Sequence, residues 1–456
     1  MPAPLMKSVS GIRGVVGESL TPALVANVAA AFAAYVKQGL VVIGRDARPT
    51  GNLILLETAA TLAQCGCNVI DLGIVPTPTV ELAVKEYGAA GGIVISASHN
   101  PIEWNAFKLI NAEGLFLNEK EIKRFFVLME KQLPCAKWNE FGFVKRDDSI
   151  SDKHIKRVLD AIDTAAIKRC KFTVALDSVN GAGSEITKKL LEELGCRVIP
   201  VYCRADGTFP RGPEPVPDNL SALCDAVKGG GADIGFAQDP DADRLAVVNE
   251  AGRPIGEEYT VALVCEYFLE KHAGGVAVVN MSTTKAVEDI ARQHGGKVLR
   301  SKVGEINVSE AMKKVGAVIG GEGNGGVISP EIHLGRDSLA GIGYILNMMA
   351  LRKQSVSALV GSLPSYVMKK GKIPIKELDP ATLLADISEK YKSEKQNKTD
   401  GLRIDFSKDV AFAGGWVHLR PSNTEPVFRI IAEGKSEEQA SAIYKFFSLV
   451  CAKAVR

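Results

Sequence analysis

Gly91-Gly-Ile-Val-Ile95-Ser-Ala-Ser98-His-Asn-Pro101 is the stretch of sequence around which the fold prediction is built. The apolar run from Gly91 to Ile95 is typical of a buried strand, and it stops abruptly in small polar residues. Open α/β sheets bind ligands beyond the carboxyl ends of their strands, so the hydroxyl of Ser98 lies where a ligand is expected. Ser98 is therefore a candidate nucleophile. The alternative is a simple turn, because Ser, Asn and Pro are common turn residues.

The composition is that of a globular chain with several domains. With 456 residues, of which 46% are hydrophobic and 24% charged, the chain is too long for one domain and suits three or four. Its 55 basic and 53 acidic residues nearly balance, which predicts no nucleic-acid or membrane partner. The nine cysteines include no Cys-x-x-Cys pair and indicate neither zinc nor a disulfide framework. The beginning of the sequence has no signal-peptide pattern, and we expect a cytoplasmic protein.

Strand and helix patterns alternate along most of the chain and repeat in three units. In the first two units a strand, a polar loop, a second strand and a glycine turn follow one another. The third unit also places a polar loop after a strand, and beyond Pro374 the pattern changes to a polar helix, three strands and a closing helix. We predict an α/β fold with three related α/β domains with mixed sheets and a smaller C-terminal α+β domain. The predicted domains are residues 1–148, 149–253, 254–368 and 369–456, and the charged stretch Lys145–Asp148 is interpreted as a linker.

Asp239-Pro-Asp241-Ala-Asp243-Arg244 is a candidate metal loop. Carboxylates at alternate positions can converge on one hard cation. Glu250 even occupies the twelfth position of a calcium loop, but Arg244 stands where an EF-hand needs Gly, and the flanking patterns are those of strands. Mg²⁺ usually completes its shell with phosphate or water, so a divalent-metal loop of another kind is predicted here.

Two further loops carry side chains suited to a phosphate and to a sugar. Arg420-Pro-Ser-Asn-Thr-Glu-Pro426, with Arg429 close behind, combines guanidinium, hydroxyl and backbone N–H donors that could cradle a phosphate. Glu322 and Asn324 lie between glycines in Gly320–Gly326, where they suit hydrogen bonds to sugar hydroxyls. Each loop taken alone could equally be a solvent-exposed or flexible turn.

Together the four motifs, Ser96–Pro101, Asp239–Arg244, Gly321–Gly326 and Arg420–Pro426, resemble those of the α-D-phosphohexomutase superfamily, in that order and over the whole chain. The resemblance implies four domains around a central cleft, each supplying one loop. It implies that Ser98 carries a phosphoryl group and that Ser98, Asp239, Asp241 and Asp243 hold one Mg²⁺ per chain. It further implies that a sugar monophosphate accepts the phosphoryl group, turns over as a bisphosphate and returns its other phosphate to Ser98. The sugar 1,6-bisphosphate is then also the expected activator.

The same resemblance assigns the remaining site residues. Lys108 matches the proton shuttle, Arg13 matches a residue near the phosphoserine, and His99 joins the catalytic set through its place beside Ser98. The residues expected to bind substrate are Arg244, Lys302, Glu322, Asn324, Arg420, Ser422, Asn423, Thr424 and Arg429. The expected partners are small sugar phosphates, and the chain is expected to be a monomer or a homodimer.

The sugar loop departs from the commoner family pattern Glu-x-Ser-Gly-His, because Asn324 replaces the Ser and Gly326 replaces the His. Val303-Gly-Glu305 resembles the Val-Gly-Asp of phosphoglucosamine mutases and adds a second carboxylate to that of Glu322. Two carboxylates near one sugar favour an amino sugar, so we expect interconversion of glucosamine 6-phosphate and glucosamine 1-phosphate. Mannose and glucose phosphates are the alternative substrates. A phosphosugar-binding protein without turnover and a metal-dependent phosphatase are the rival functions.

Overall fold

The computed structural model describes residues 5–133, 135–374, 379–422 and 427–454. Within these ranges the strands form four sheets, which follow one another along the chain. The first three sheets mix parallel and antiparallel strands, and the fourth is antiparallel throughout. This arrangement confirms the predicted fold class of three related α/β units followed by a smaller α+β unit.

The first unit contains the Ser98 loop. Its strands are β1 (Met6–Ser8), β2 (Gly11–Val15), β3 (Val41–Arg45), β4 (Val69–Ile74), β5 (Gly91–Ile95), β6 (Trp104–Asn111) and β7 (Val144–Arg146), in the sheet order β1-β2-β6-β5-β3-β4-β7. Its helices are α1 (Pro22–Tyr35), α2 (Gly51–Gln64), α3 (Thr77–Glu86) and α4 (Glu119–Met129). β5 runs parallel to β3 and antiparallel to β6, so the Ser98 loop turns the chain between β5 and its antiparallel neighbour.

The stretch Lys145–Asp148 is not wholly a linker, because Lys145 and Arg146 belong to β7. β7 pairs in parallel with β4 at the edge of the first sheet. All three residues of β7 are exposed, so this strand lacks the alternation of apolar and polar residues by which strands are recognised. Charged residues on an edge strand also oppose pairing with another chain.

The second and third units repeat the arrangement of the first around their polar loops. The second unit has α5 (Ile150–Asp160), α6 (Thr164–Cys170), β8 (Thr173–Asp177), α7 (Gly183–Glu193), β9 (Arg197–Val201), a 3₁₀ turn (Pro217–Asn219), α8 (Ser221–Gly230), β10 (Ile234–Gln238) and β11 (Leu245–Asn249). The third has α9 (Glu257–Lys271), β12 (Val276–Asn280), α10 (Ala286–Gln293), β13 (Lys297–Ser301), α11 (Glu305–Val315), β14 (Ile319–Glu322), β15 (Gly326–Ser329), β16 (His333–Arg336), α12 (Ser338–Arg352) and α13 (Val356–Gly361). The aspartate loop joins β10 to antiparallel β11, and the glycine-rich loop joins β14 to antiparallel β15.

The last unit is an antiparallel sheet with two helices. It comprises β17 (Val367–Pro374), α14 (Pro380–Lys390), β18 (Lys395–Asn397), β19 (Leu402–Asp405), β20 (Trp416–Pro421), β21 (Val427–Gly434) and α15 (Glu437–Ala454). β17 belongs to this sheet from Val367 onward, so the predicted boundary between residues 368 and 369 falls inside its first strand. The boundaries of the four domains stay a prediction.

The apolar core is shared between two of the units. One cluster of buried side chains extends from Ile155 in the second unit to Leu363 beyond the third, and α12 is buried along nearly its whole length within it. The first and last units have their own apolar clusters. The second and third units are therefore packed as one body. Among the described helices, none is both long and apolar enough to cross a membrane.

Candidate active site

Ser98 lies at the carboxyl end of β5 and faces the second unit. Its hydroxyl donates a hydrogen bond of 2.7 Å to Asp239 Oδ2, and its backbone N–H donates to Ser96 Oγ over 2.9 Å. Ser98 is buried and has a φ of +48°, in the left-handed region that side chains other than glycine rarely adopt. A conformation of this kind costs about 1–2 kcal/mol, and such residues cluster at functional sites.

Arg48 and Asp46, which the sequence analysis did not select, hold the Ser98 loop in place. The Arg48 guanidinium donates to the carbonyl oxygens of Ser98 at 2.8 Å and of Asn100 at 2.6 Å. Arg48 also pairs with Asp46, whose Oδ2 accepts a hydrogen bond of 2.6 Å from Ser96. The sequence contained a signal, because Gly44-Arg45-Asp46-Ala47-Arg48 follows a predicted strand as Ser98 does.

The three aspartates of the second loop converge as the sequence predicted. Their carboxylate oxygens lie within 4.8 Å of one another, all three side chains are buried, and Ala242 between them has a φ of +54°. Burial, followed by repulsion from Asp243 and Asp241, raises the pKa of Asp239 well above its usual value. A bound cation would relieve both effects.

The oxygens of these aspartates also fit a metal ion. Among the described residues, no hydrogen-bond partner faces Asp241 Oδ1 or Asp243 Oδ1, although both atoms are buried. Buried polar atoms without a partner are costly, and Mg²⁺ and Ca²⁺ favour carboxylate oxygens as ligands. The set could therefore hold a divalent cation next to Ser98.

Lys108 enters the aspartate cluster from β6. Its Nζ lies 2.5 Å from Asp241 Oδ2 and 3.1 Å from Asp243 Oδ2, and Thr77 at the start of α3 donates to the same Asp241 oxygen over 2.5 Å. Burial works to lower the pKa of Lys108, but Asp241 and Asp243 outweigh it and the pKa lies above its ordinary value. The amine is therefore charged and held against the metal loop, as its predicted role near the reacting groups requires.

His99 borders Ser98 directly, and Arg13 and Arg244 contact its neighbours in the serine loop and the metal loop. His99 Nδ1 lies 3.4 Å from Ser98 Oγ, and Arg244, followed by burial, holds the pKa of His99 well below its ordinary value. Arg13 donates to Asn100 Oδ1 in the serine loop over 3.0 Å, and burial lowers its pKa to about 10. The backbone N–H of Arg244 donates to Asp239 Oδ1 over 3.2 Å, while its guanidinium pairs with Glu214 at 2.9 Å. An anion at Ser98 would lie among these basic groups.

Glu322 is buried in the sugar loop and already has three donors. Asn280 Nδ2 and the Gly304 N–H each lie 2.8 Å from its Oε1, and Arg336 NH1 lies 2.8 Å from its Oε2. Asn324 is half-buried, and its Oδ1 accepts from Gly326 N–H in the same loop over 3.2 Å. Both side chains are thus well ordered by their neighbours.

Glu322 and Glu305, the two carboxylates expected near the sugar, both lie next to a cation of the protein itself. Arg336, which the sequence analysis did not select, contacts both of them, since its Nε lies 3.0 Å from Glu305 Oε2. The same guanidinium reaches Asp243 Oδ2 over 2.6 Å. One positive charge therefore lies between the sugar loop and the metal loop.

The phosphate loop follows a row of basic residues in the last sheet. Arg420 on β20 lies directly opposite Arg429 on β21, and Arg429 lies opposite Lys372 on β17. Residues that are directly opposite each other share one face of a sheet, and like charges there are destabilising. An anion beside this row would offset the repulsion. The N–H of Ser422 closes the hairpin onto Val427 O at 2.8 Å, whereas Asn423 and Thr424 lie outside the described residues.

A chain of polar contacts joins the four loops. Beyond the contacts of Ser98 with Asp239 and of Arg336 with Asp243 and Glu322, Glu322 accepts from the Gly304 N–H. The neighbouring Val303 N–H donates to Asp400 Oδ2 over 2.9 Å, and Arg420 Nε lies 3.4 Å from that same oxygen. The exposed Lys302 precedes Val303, at the edge of this chain. The four loops therefore adjoin one another, as the predicted arrangement requires.

Fold and site together define a four-unit α/β protein with a serine beside a buried metal-binding aspartate cluster. Four family models match the chain in order, described as phosphoglucomutase/phosphomannomutase α/β/α domains I, II and III and the C-terminal domain. They match residues 5–132, 152–252, 257–366 and 372–448.

Individual relatives agree with these matches. The chain is 39% identical over 439 residues to a phosphoglucomutase/phosphomannomutase of Thermococcus kodakarensis, covering 94% of both chains. It is 34% identical over 453 residues to a probable phosphoglucosamine mutase of Methanopyrus kandleri, covering 98% of both. A crystal structure of a phosphoglucomutase/phosphomannomutase family protein from Burkholderia thailandensis superposes with a TM-score of 0.84 at 26% identity, covering 98% of both chains. The chain belongs to the phosphoglucomutase/phosphomannomutase family, which confirms the resemblance of its four motifs.

Proposed function

We propose that this protein is a phosphohexomutase that interconverts a hexosamine 6-phosphate and the corresponding 1-phosphate through a phosphorylated Ser98. One observation carries the proposal, namely the buried Ser98 hydroxyl 2.7 Å from Asp239 in a cluster of three aspartates. Phosphoryl transfer depends on positioning and charge neutralisation more than on covalent chemistry by the protein. A serine in this position is placed to receive and return a phosphoryl group.

Asp239, Asp241 and Asp243 would hold the metal ion, which we propose to be Mg²⁺. When bound, Mg²⁺ would neutralise charge that develops on the transferring phosphoryl group. Asp241 Oδ1 and Asp243 Oδ1 support this assignment, because neither accepts a hydrogen bond from the described residues and Arg244 Nε approaches Asp243 Oδ1 only to 3.8 Å. Phosphate on Ser98 would add further hard oxygen donors beside the same carboxylates.

Lys108 would move the proton of the attacking sugar hydroxyl. Its amine lies 2.5 Å from Asp241 and 3.1 Å from Asp243, so it is fixed beside the phosphoryl-transfer site. A lysine that is held charged can give a proton to Ser98 Oγ as the phosphoryl group leaves it, and the neutral amine can then take the proton of the attacking sugar hydroxyl, so that it ends charged again. Arg13 and Arg244 are placed to neutralise the phosphate on Ser98, and His99 borders it.

The last unit would bind the phosphate that does not react. Arg420 and Arg429 lie side by side on β20 and β21, and Ser422 begins the loop between them. We propose that Asn423 and Thr424 complete this cradle, with Lys302, Glu322 and Asn324 contacting the sugar. Because the bisphosphate must turn over between two half-reactions, one cradle serves both orientations of the sugar. A sugar 1,6-bisphosphate would therefore also activate dephosphorylated enzyme.

The preference for glucosamine phosphate is supported by relatives more than by free carboxylates in the site. Several of the relatives at 33 to 36% identity are named probable phosphoglucosamine mutases. The relative at 39% identity is named phosphoglucomutase/phosphomannomutase, so glucose and mannose phosphates are the alternative substrates. We further propose that the protein acts in the cytoplasm on small sugar phosphates, as a monomer or a homodimer.

A mutase assay with glucosamine, glucose and mannose 1-phosphates tests the proposal. We expect Mg²⁺-dependent formation of 6-phosphates, with the highest kcat/KM for glucosamine 1-phosphate. A higher kcat/KM for glucose or mannose 1-phosphate would reverse the substrate assignment and leave the mutase reaction standing. Sustained release of inorganic phosphate in place of isomerisation would contradict the mutase itself.

A further inference from the structure

Arg336 is a buried arginine at the end of β16 that contacts three carboxylates from separate segments. NH2 lies 2.6 Å from Asp243 Oδ2, NH1 lies 2.8 Å from Glu322 Oε2, and Nε lies 3.0 Å from Glu305 Oε2. Asp243 belongs to the metal loop and Glu322 to the sugar loop. NH1 and NH2 of one planar group therefore each donate to a carboxylate of a different loop, while Nε lies close to Glu305 as an ion pair without a hydrogen bond.

The contact with Asp243 decides which oxygen of that carboxylate is left for a metal. Oδ2 of Asp243 receives both Arg336 NH2, at 2.6 Å, and Lys108 Nζ, at 3.1 Å. In the described part of the chain, Oδ1 has no hydrogen-bond partner. Arg336 and Lys108 together thus orient the carboxylate so that Oδ1 remains available.

The contact with Glu322 fixes the sugar loop by the same guanidinium. Glu322 Oε1 takes the N–H of Gly304 and the amide of Asn280, each at 2.8 Å, and Arg336 takes Oε2. Because the guanidinium is planar and rigid, a displacement of Glu322 changes the position of the group that holds Asp243. The two loops are therefore mechanically linked.

Gly326 provides the space in which Arg336 lies. A Cβ atom at position 326 would come within 2.3 Å of Arg336 Cδ and 2.9 Å of Cγ. Gly326 is one of the two positions at which the sugar loop departs from the commoner pattern, in which a histidine stands there. Any side chain at residue 326 would therefore displace Arg336 from its present position.

We propose that Arg336 is a positioning residue that fixes the metal loop relative to the sugar loop. Metal affinity and sugar binding therefore both depend on it. The proposal rests on the function proposed above for this site. It assigns Arg336 no contact with the reacting atoms, since the residue acts through Asp243 and Glu322.

Arg336→Lys tests this role because it keeps the positive charge but replaces the planar guanidinium, with its several nitrogen donors, by a single ammonium group. A single ammonium group cannot hold three carboxylates in the same geometry. We expect the dissociation constant for Mn²⁺, measured by EPR without any sugar phosphate, to rise about tenfold or more, as is typical when a group that orients a metal ligand is lost. The KM for glucosamine 1-phosphate should rise as well. The matched control is Arg352→Lys at the far end of α12, where Arg352 pairs with Glu266 and Glu270, and both constants should stay unchanged.

The outcomes separate positioning from a merely structural role. A variant that is only destabilised loses active molecules, so its kcat falls while the Mn²⁺ dissociation constant and KM stay at the wild-type values, and that result would overturn the proposal.

If Arg336→Lys does not fold, Gly326→Ala takes its place, because the added methyl group displaces Arg336 without removing charge. Weaker Mn²⁺ binding in Gly326→Ala supports the proposal, and unchanged binding contradicts it. A wild-type protein without mutase activity would refute the proposed function but leave the Mn²⁺ measurement as a test of Arg336.

Discussion

Asp239, Asp241 and Asp243 share one cluster but differ in the groups that face them. Burial raises the pKa of Asp239, and Asp243 and Asp241 add to the rise. Burial also acts to raise the pKa of Asp241 and of Asp243, but Lys108 outweighs it at Asp241, and Arg336 with Lys108 outweighs it at Asp243. Two of the carboxylates are therefore kept ionised by cations of the protein itself, while the third depends on a further cation.

Asp241→Asn should impair chemistry far more than folding. The change removes one charged ligand from a metal that tolerates little misplacement, so we expect kcat to fall by about a hundredfold or more. It also removes one of the two carboxylates that pair with buried Lys108, so the melting temperature should fall, but Asp243 still faces the ammonium and the protein should remain folded. Steady-state kinetics and a thermal melt provide the two measurements. Asp225→Asn on the exposed face of α8 is the matched control and should change neither quantity. A fall in kcat no larger than the fraction of protein that has unfolded at the assay temperature would contradict the metal-ligand role.

Residues that are close together in the sequence were the ones that the sequence predicted best. The aspartate triad and the serine loop each lie within a few residues, so their spacing alone indicates convergence. Arg336 meets Asp243 across 93 positions, and Arg48 meets Ser98 across 50. Such pairs depend on how the strands are arranged, and a single sequence contains no periodic pattern that reports it.

At the scale of elements, three strands of the last sheet bring basic residues together. Lys372, Arg429 and Arg420 stand in one row across β17, β21 and β20. β20 ends and β21 begins next to this row, and the phosphate loop joins these two strands. The sheet therefore places positive charge beside the phosphate loop. The motif Arg420–Pro426 alone does not indicate the contribution of Lys372.

Arg420→Ala should raise KM strongly for every sugar phosphate tested. Loss of a charge-assisted hydrogen bond to a phosphate costs about 1.5–3 kcal/mol, which corresponds to a rise in KM of about tenfold or more. Lys369→Ala is the control, because Lys369 lies on the other face of β17 and pairs with Glu437. Initial-rate kinetics with 1-phosphates and 6-phosphates provide the test. An unchanged KM in Arg420→Ala would refute the cradle.

His418 on β20 lies buried where the third and last units meet. Its Nε2 contacts Asp400 O at 2.6 Å, and its Nδ1 lies 2.9 Å from the hydroxyl of Ser282. Burial lowers the pKa of His418 to about 4. Since an unfolded histidine has a pKa of about 6.5, the unfolded chain binds more protons than the folded one between these two values.

Stability should therefore fall as the pH drops below about 6.5 and towards 4, and it should be independent of this group above about pH 7. At pH 5 the loss from His418 amounts to about 2 kcal/mol. His418→Gln should remove that part of the difference in melting temperature between pH 7 and pH 5. His272→Gln is the control, because the His272 side chain is only half-buried, with 40% of its surface exposed. An identical pH dependence in wild type and His418→Gln would show that the pKa of His418 is the same in the folded and unfolded states, against the effect of burial described above.

Elements with clear periodicity were predicted well, and irregular ones were not. The Thr-Pro pair at residues 21 and 22 is typical of a helix start, and α1 begins at Pro22 with the Thr21 side chain accepting from Leu24 N–H. The charged, poorly periodic stretch Lys145–Asp148 indicates a linker, yet its first two residues belong to β7, whose three residues are all exposed. β16 and β17 were not recognised, since β16 has four residues and β17 alternates half-buried and exposed residues in place of apolar and polar ones.

At the scale of the whole molecule, α12 ties the second unit to the third. Its buried face packs into the apolar cluster that also contains Leu176 of the second unit and Val279 of the third. The boundary predicted between the second and third domains therefore does not separate two apolar cores, because one core extends across it. This packing could not be predicted from the sequence, because an apolar helix gives no indication of which sheets it contacts.

Leu346→Ala in the buried part of α12 should weaken both units together. Removing a fully buried leucine side chain costs about 2–5 kcal/mol. Hydrogen exchange followed by mass spectrometry should show faster exchange in β8 and β10 of the second unit and in β12 and β14 of the third. Exchange in the last unit should remain as in wild type, because that unit has its own core. The control is Ile430→Ala, in the core of the last sheet. It should speed exchange in the last unit and leave exchange in the second and third units as in wild type. Faster exchange in the third unit alone would contradict a shared core.

The central claim is that Ser98 carries the phosphoryl group between the two positions of the sugar. Purified protein would be incubated with glucose 1,6-bisphosphate and Mg²⁺, digested, and mapped by mass spectrometry, then chased with glucosamine 6-phosphate. The account predicts one phosphoryl group on the peptide that contains Ser98, and loss of that group during the chase. A peptide that stays unmodified, or a Ser98→Ala variant with full mutase activity, would contradict the account.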